Sequence, residues 1–134
     1  MPGRSEEQAH RPVLLYDAEC RVCRFAARAV VRLDRDRELA VLPLLDPAAG
    51  RLLAPLGDAE RLASWRLARA GAAPTGYGAG VPGLLLAMRR TRWLGRLAQS
   101  VPAPVLDAAY GLVARNRGRL GHVVPDGPAP RRYP

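Results

Sequence analysis

The segment Pro12-Val13-Leu14-Leu15-Tyr16-Asp17-Ala18-Glu19-Cys20-Arg21-Val22-Cys23 passes from one structural period to another. Its apolar run, Pro12 to Tyr16, reads as a short strand covered on both faces. Asp17-Ala18-Glu19 reads as the loop that follows. From Arg21 to Asp34 the spacing turns helical. Val22, Phe25, Ala26, Ala29 and Leu33 are predicted to share a buried face, and Arg21, Arg24, Arg28, Arg32 and Arg35 a solvated one. Cys20 and Cys23, the only cysteines in the chain, stand in C-x-x-C spacing at the strand-to-helix junction.

Working outward, Leu39 to Leu45 reads as a second buried strand, with Pro43 suited to its end or to an edge position. Two such strands joined through a helix are expected to run parallel. Asp46-Pro47 offers an N-cap and a first-turn proline, opening a short helix through Ala54 with Gly57 as its stop. Ser64 to Ala70 and Pro74 to Tyr77 read as a strand and its brief return. A helix is expected from Pro82 to Gln99, broken near Arg90-Thr91. Pro102-Ala103-Pro104 separates it from a last helix over Val105 to Arg119, with Val105, Leu106, Ala109, Leu112, Val113 and Asn116 on one face. Residues 1–11 read as a frayed tail, 12–121 as the domain and 122–134 as a Pro-rich tail, disordered from Pro125. The order β-α-β-α-β-β-α-α predicts an α/β protein. Its small central mixed sheet, two parallel strands plus a hairpin, is flanked by helices, with an extra helix at the C-terminus. That is a thioredoxin-like layout, which sets its dithiol at the first β-to-α junction.

Composition narrows the classes. A chain of 134 residues with a hydrophobic fraction of 49% suits one globular domain. The longest apolar stretch, Val81 to Met88, is far short of a membrane span. No apolar leader segment is visible, so the expected compartment is the cytoplasm, where structural disulfides are rare. The net charge is +9, and every basic residue is Arg, with no Lys and no Ile in the chain. The arginines are dispersed and aromatic residues are few, so compositional bias explains the charge better than a specific nucleic-acid partner.

Thiol–disulfide exchange needs a thiolate nucleophile and a second thiol to resolve the mixed disulfide. At a helix start Cys20 would lie among unpaired backbone N–H groups, which favour anionic sulfur. The helical wheel sets Arg24 beside Cys20 and turns Cys23 toward Val30 on the apolar side. Cys20 is therefore the expected attacking thiol and Cys23 the sheltered resolving thiol. Glu19 works against a thiolate and Arg21 for it. Asp17 is a candidate proton acceptor for the thiols, or else a loop carboxylate capping backbone N–H groups. Tyr16, Ala18, Glu19, Arg21, Val22 and Arg24 are expected to line the site. A zinc site takes four ligands, and no second C-x-x-C or paired His motif accompanies the cysteines. No cofactor is expected beyond the dithiol itself, with an external thiol reductant and a protein or small-molecule disulfide as partners. A non-catalytic binding module using the arginine-rich helix face is the alternative.

Tyr16, Asp17, Cys20 and Cys23 resemble the Y-D-G-x-C-x-x-C signature of the DCC family of thiol-disulfide oxidoreductases. Tyr110, Val113, Ala114, Asn116 and Arg117 are similar to that family's C-terminal Y-x-x-V-A-x-N-R helix. The resemblance spans about residues 12–121. It implies a thioredoxin-like fold and a protein-disulfide reductase type of activity carried by the cysteine pair. Ala18 stands where the family has Gly, so a left-handed backbone there would be strained. Gly80-Val81-Pro82-Gly83 looks like the cis-proline loop of thioredoxins, but the DCC resemblance implies a helix start with Pro82 in its first turn. Gly78 to Val81 would line the site in either reading.

Overall fold

The computed structural model describes residues 11–70 and 72–133. The tail expected at the N-terminus lies outside these residues except for Arg11. Strand β1 (Val13–Tyr16) is buried along its whole length. Val13 and Leu15 pack on one side with Leu42, Leu53 and Ala68, while Leu14 and Tyr16 pack on the other with Ala27 and Val41. Cover on both faces is why four large apolar residues follow one another without alternation.

Helix α1 (Arg21–Leu33) carries the chain from β1 to β2 (Ala40–Pro43). The two strands pair in parallel, from Val13 against Ala40 to Tyr16 against Pro43. Strands β3 (Arg66–Ala68) and β4 (Thr75–Gly76) form an antiparallel hairpin, and β3 pairs antiparallel with β1. The sheet order is β2-β1-β3-β4. This is the expected mixed sheet of a thioredoxin-like fold. Helix α2 (Ala49–Leu52) covers one face, its entry held by the Asp46 carboxylate, which accepts the Ala48 N–H at 3.0 Å. Helix α4 (Val81–Leu86) joins α1 on the other face, with Pro82 in its first turn, and Leu84 reaches the core. A 3-10 turn (Arg89–Thr91) separates it from α5 (Arg92–Gln99), at the predicted break.

Four expectations need correction. In α1 Ala27 is the buried residue, with Cys23 and Val30 partly buried on the same line and the C-cap Asp34 buried beyond it. Phe25 and Leu33 are instead 38% and 50% exposed. Small Ala27 lets the helix approach the sheet closely, and the larger residues fall on its flank. A further short helix, α3 (Asp58–Leu62), starts directly after Gly57, with Asp58 and Glu60 complementing its N-terminal dipole. The last helix is two: α6 (Ala103–Arg115) and α7 (Arg117–Leu120) meet at Asn116. The Asn116 side chain donates to the Leu112 carbonyl at 2.7 Å, closing α6 where a straight helix was predicted. The expected apolar face of α6 is also shallower than predicted, since Val105, Leu112 and Val113 are about half exposed.

The fourth correction concerns the Pro-rich tail, which lies against the domain. Arg132 forms an antiparallel bridge with Val41 on the outer edge of β2. Its guanidinium pairs with Asp34, whose side chain is 1% exposed. The Tyr16 hydroxyl donates to the Pro130 carbonyl, and Tyr133 packs on the core. Three arginines of the stripe expected to face solvent hold this segment: Arg21 and Arg24 pair with Asp126, and Arg28 donates to the carbonyls of Pro125 and Pro128. Among the described residues no helix is long and apolar enough to cross a membrane.

Candidate active site

The end of β1 and the start of α1 fix the cysteine pair. Asp17 begins the turn, its carboxylate accepting the Glu19 N–H at 3.0 Å. Ala18 has no left-handed backbone, because Arg37 and Tyr77 are the non-glycine residues with positive φ. The alanine therefore costs the loop no strain. Its carbonyl accepts from Arg24 Nη1 at 2.7 Å, which ties the loop to the second turn of α1. Glu19 points into solvent.

Cys20 is the N-cap of α1, and its Sγ accepts the Cys23 N–H at 3.3 Å. Both cysteines are free thiols and partly buried. Burial pushes the Cys23 thiol from 9.0 up to about 12, reinforced by its hydrogen bond to Cys20 and by that neighbour's charge, and opposed by Arg117. The Arg117 Nη1 stands 3.9 Å from Cys23 Sγ. Burial likewise raises Tyr16 to about 12, against the pull of Arg24 and Arg28. A hydrogen bond to Asp126 raises the pKa of Arg24, and the same bond lowers that of Asp126.

The two sulfurs face different surroundings. Cys20 borders a shallow basic depression with Arg21, Arg117 and His122. Cys23 lies in the wall of a cavity of about 240 Å³, together with Asp17, Val22 and Arg117. Tyr16, Val30, Trp65 and Val81, the first residue of α4, are also in that wall, whereas Gly78, Ala79 and Gly80 of the preceding loop are not. Ala18 and Glu19 border a separate small pocket with Asp17. Arg21 and Arg24 turn toward the C-terminal segment. Among the described residues no group of three or more His, Cys, Asp and Glu is arranged to hold a metal ion.

The model of the DCC1-like thiol-disulfide oxidoreductases matches residues 14–123, which include the cysteine pair, the sheet and the helices up to α7. The chain belongs to the DCC1-like family. Its two cysteines, close in space at the head of α1, accord with the thiol–disulfide redox role that family carries. The chain matches no curated protein and no solved structure.

In this DCC1-like protein, Arg117 is the neighbour of Cys23 that sequence reasoning missed. The C-terminal motif includes it without indicating what it touches. The turn at Asn116 carries it back to the cysteines. A helical line of Tyr110, Val113, Ala114 and Arg117 on the cavity side was the available signal.

Proposed function

We propose that the protein is a dithiol reductase of disulfides in which Cys20 attacks and Cys23 resolves. The observation that carries the reading is the asymmetry of the pair. Cys20 caps the helix at the border of a basic depression, while Cys23 lies in the wall of the apolar cavity and holds its proton. Helix N-terminal N–H groups favour anionic sulfur, and a thiolate is the attacking species.

The Cys20 thiolate attacks one sulfur of a substrate disulfide. A Cys20–substrate bond forms, and the other substrate sulfur departs as thiolate. That thiolate accepts the Cys23 proton. Cys23 then attacks Cys20 Sγ, closing the Cys20–Cys23 disulfide and releasing the second substrate sulfur, which takes a proton from water. The substrate gains two electrons from the cysteine pair and two protons, one from Cys23 and one from water. An external thiol reductant restores the dithiol by the same exchange in reverse. Arg117, beside Cys23, eases that thiol's ionisation at the resolving step. Asp17, in the same cavity wall, is the nearby carboxylate that can relay the proton, although its carboxylate also holds the loop.

The binding-module alternative has less support, because Arg21, Arg24 and Arg28 already hold the chain's own C-terminal segment. Turbidimetric insulin reduction with dithiothreitol, run beside Cys20→Ser and Cys23→Ser, tests the proposal. Wild type is expected to accelerate precipitation, Cys20→Ser to match the blank, and Cys23→Ser to accumulate a mixed disulfide visible by mass spectrometry. Equal rates for wild type and Cys20→Ser would sink it.

A further inference from the structure

The cavity beside Cys23 is larger than exchange between two sulfurs requires. Its volume is about 240 Å³, and its wall is mainly hydrocarbon: Leu14 from β1, Val30 from α1, Leu84 from α4 and Val113 from α6, with Trp65 before β3. An apolar cavity of about 150 Å³ stays dry and takes up benzene, so this one has room for a phenyl or isobutyl group. Several polar groups in the wall are already engaged. Ser64 donates to the Tyr110 hydroxyl at 3.2 Å and accepts the Tyr77 N–H at 2.9 Å. Asp17 accepts the Glu19 N–H, and Arg117 is directed at Cys23.

We propose that this cavity is a specificity subsite for the large apolar side chain next to the cysteine of a disulfide-bonded peptide. The inference rests on the reading of Cys20 and Cys23 as an exchanging dithiol. A tethered side chain suits the cavity better than a free small molecule, for two reasons. With several of its polar groups engaged and most of its wall hydrocarbon, the cavity offers little to orient a free ligand. Burial of one apolar group is also a modest gain, which serves a group joined to the reacting disulfide but holds a free molecule weakly. Once the substrate is attached to Cys20, the neighbouring side chain meets the cavity as an intramolecular event. Cys23, in that same wall, is the thiol that ends the attachment.

Acetyl-Xaa-Cys-amide peptides, as mixed disulfides with 2-nitro-5-thiobenzoate, test the subsite with Xaa as Gly, Leu or Phe. For the reduced protein, kcat/KM from thiobenzoate release is expected to be roughly tenfold or more higher for Leu and Phe than for Gly. Ala114→Leu, which fills the cavity from α6, should bring that ratio toward one. A second readout needs no cavity variant. With each peptide trapped on Cys20 of Cys23→Ser, the Trp65 indole N–H resonance should shift with Phe and stay in place with Gly. Equal rates for the three peptides with an unmoved Trp65 overturn the subsite and leave the exchange chemistry standing. A preference that survives Ala114→Leu and leaves Trp65 unmoved also overturns it, since recognition then lies elsewhere. If no peptide reacts faster than with Cys20→Ser, the exchange reading falls and the subsite falls with it.

Discussion

Cys23 and Arg117 lie 94 residues apart in the chain and meet at 3.9 Å in the fold. Of the influences on the Cys23 thiol, Arg117 is the one that lowers its pKa. Arg117→Ala should therefore leave Cys23, the proposed resolving thiol, still harder to ionise. One pKa unit is a tenfold change in thiolate share, so the Cys20 mixed disulfide should persist up to about tenfold longer at neutral pH. Quenched-flow mass spectrometry of the intermediate measures this, and Arg117→Lys should recover part of the rate by restoring charge. An unchanged lifetime would remove Arg117 from the mechanism. The same thiol makes stability depend on pH. The folded protein keeps the Cys23 proton above pH 9.0, where the unfolded chain gives it up, so stability is whole below pH 9.0 and lost as pH approaches about 12. Tyr16 adds a loss of the same sign, beginning only near 10.0. Urea titrations of the reduced protein should thus show a downward slope between pH 9 and 10 that Cys23→Ser lacks. The same slope in both proteins would contradict the assignment. At this scale the cysteines, Tyr16 and Asp17 were legible because they form a local pattern. Arg117 was visible as a letter but not as a neighbour, since a guanidinium's partner depends on where its helix ends.

At the scale of elements, the sheet was readable and the packing of helices less so. The runs Pro12–Tyr16 and Leu39–Leu45 announced buried strands because both faces need apolar cover. The α1 stripe was misjudged because periodicity ranks large residues first, whereas close contact with a sheet selects a small one, Ala27. The docking of α6 depends on Gly78. A Cβ there would stand 1.8 Å from the Leu106 carbonyl oxygen, and the adjoining Ala79 N–H donates to the Asp107 carboxylate at 2.8 Å. Gly78→Ala should push α6 outward at a cost of about 3 kcal/mol, the upper range for overpacking, because the obstacle is backbone. Chemical denaturation measures the loss. The displaced helix should also lengthen the mixed-disulfide lifetime, since α6 leads into Arg117. A Gly78→Ala protein of wild-type stability would show that this contact is not needed.

For the whole molecule, the C-terminal segment closes the outer edge of β2 and neutralises Asp34 and part of the α1 arginine stripe. A chain ending at Val124 leaves the Asp34 carboxylate buried without Arg132. It still accepts the N–H groups of Glu38 and Leu39, at 2.9 and 2.8 Å. The expected loss is accordingly at the lower end for a broken buried pair, about 3 kcal/mol, read from urea midpoints. The freed Arg24 and Arg28 should also retain the shortened protein on heparin to higher salt than the full chain. Unchanged stability and retention together would mean that the segment does not hold the domain in solution.

The sequence by itself determined the strand, the dithiol and the helix behind it, because periodicity and a three-residue spacing are local properties of a chain. It also determined the parallel pair and hairpin, which follow from the order of apolar runs and turns. Only the tertiary structure decided that the Pro-rich end straps the sheet, that Asn116 turns Arg117 onto Cys23, and that one sulfur faces a basic depression while the other walls an apolar cavity. Those contacts join residues far apart in sequence through carbonyls, guanidinium groups and helix ends, which have no period to read. Their partners exist only once the sheet has brought the chain ends together.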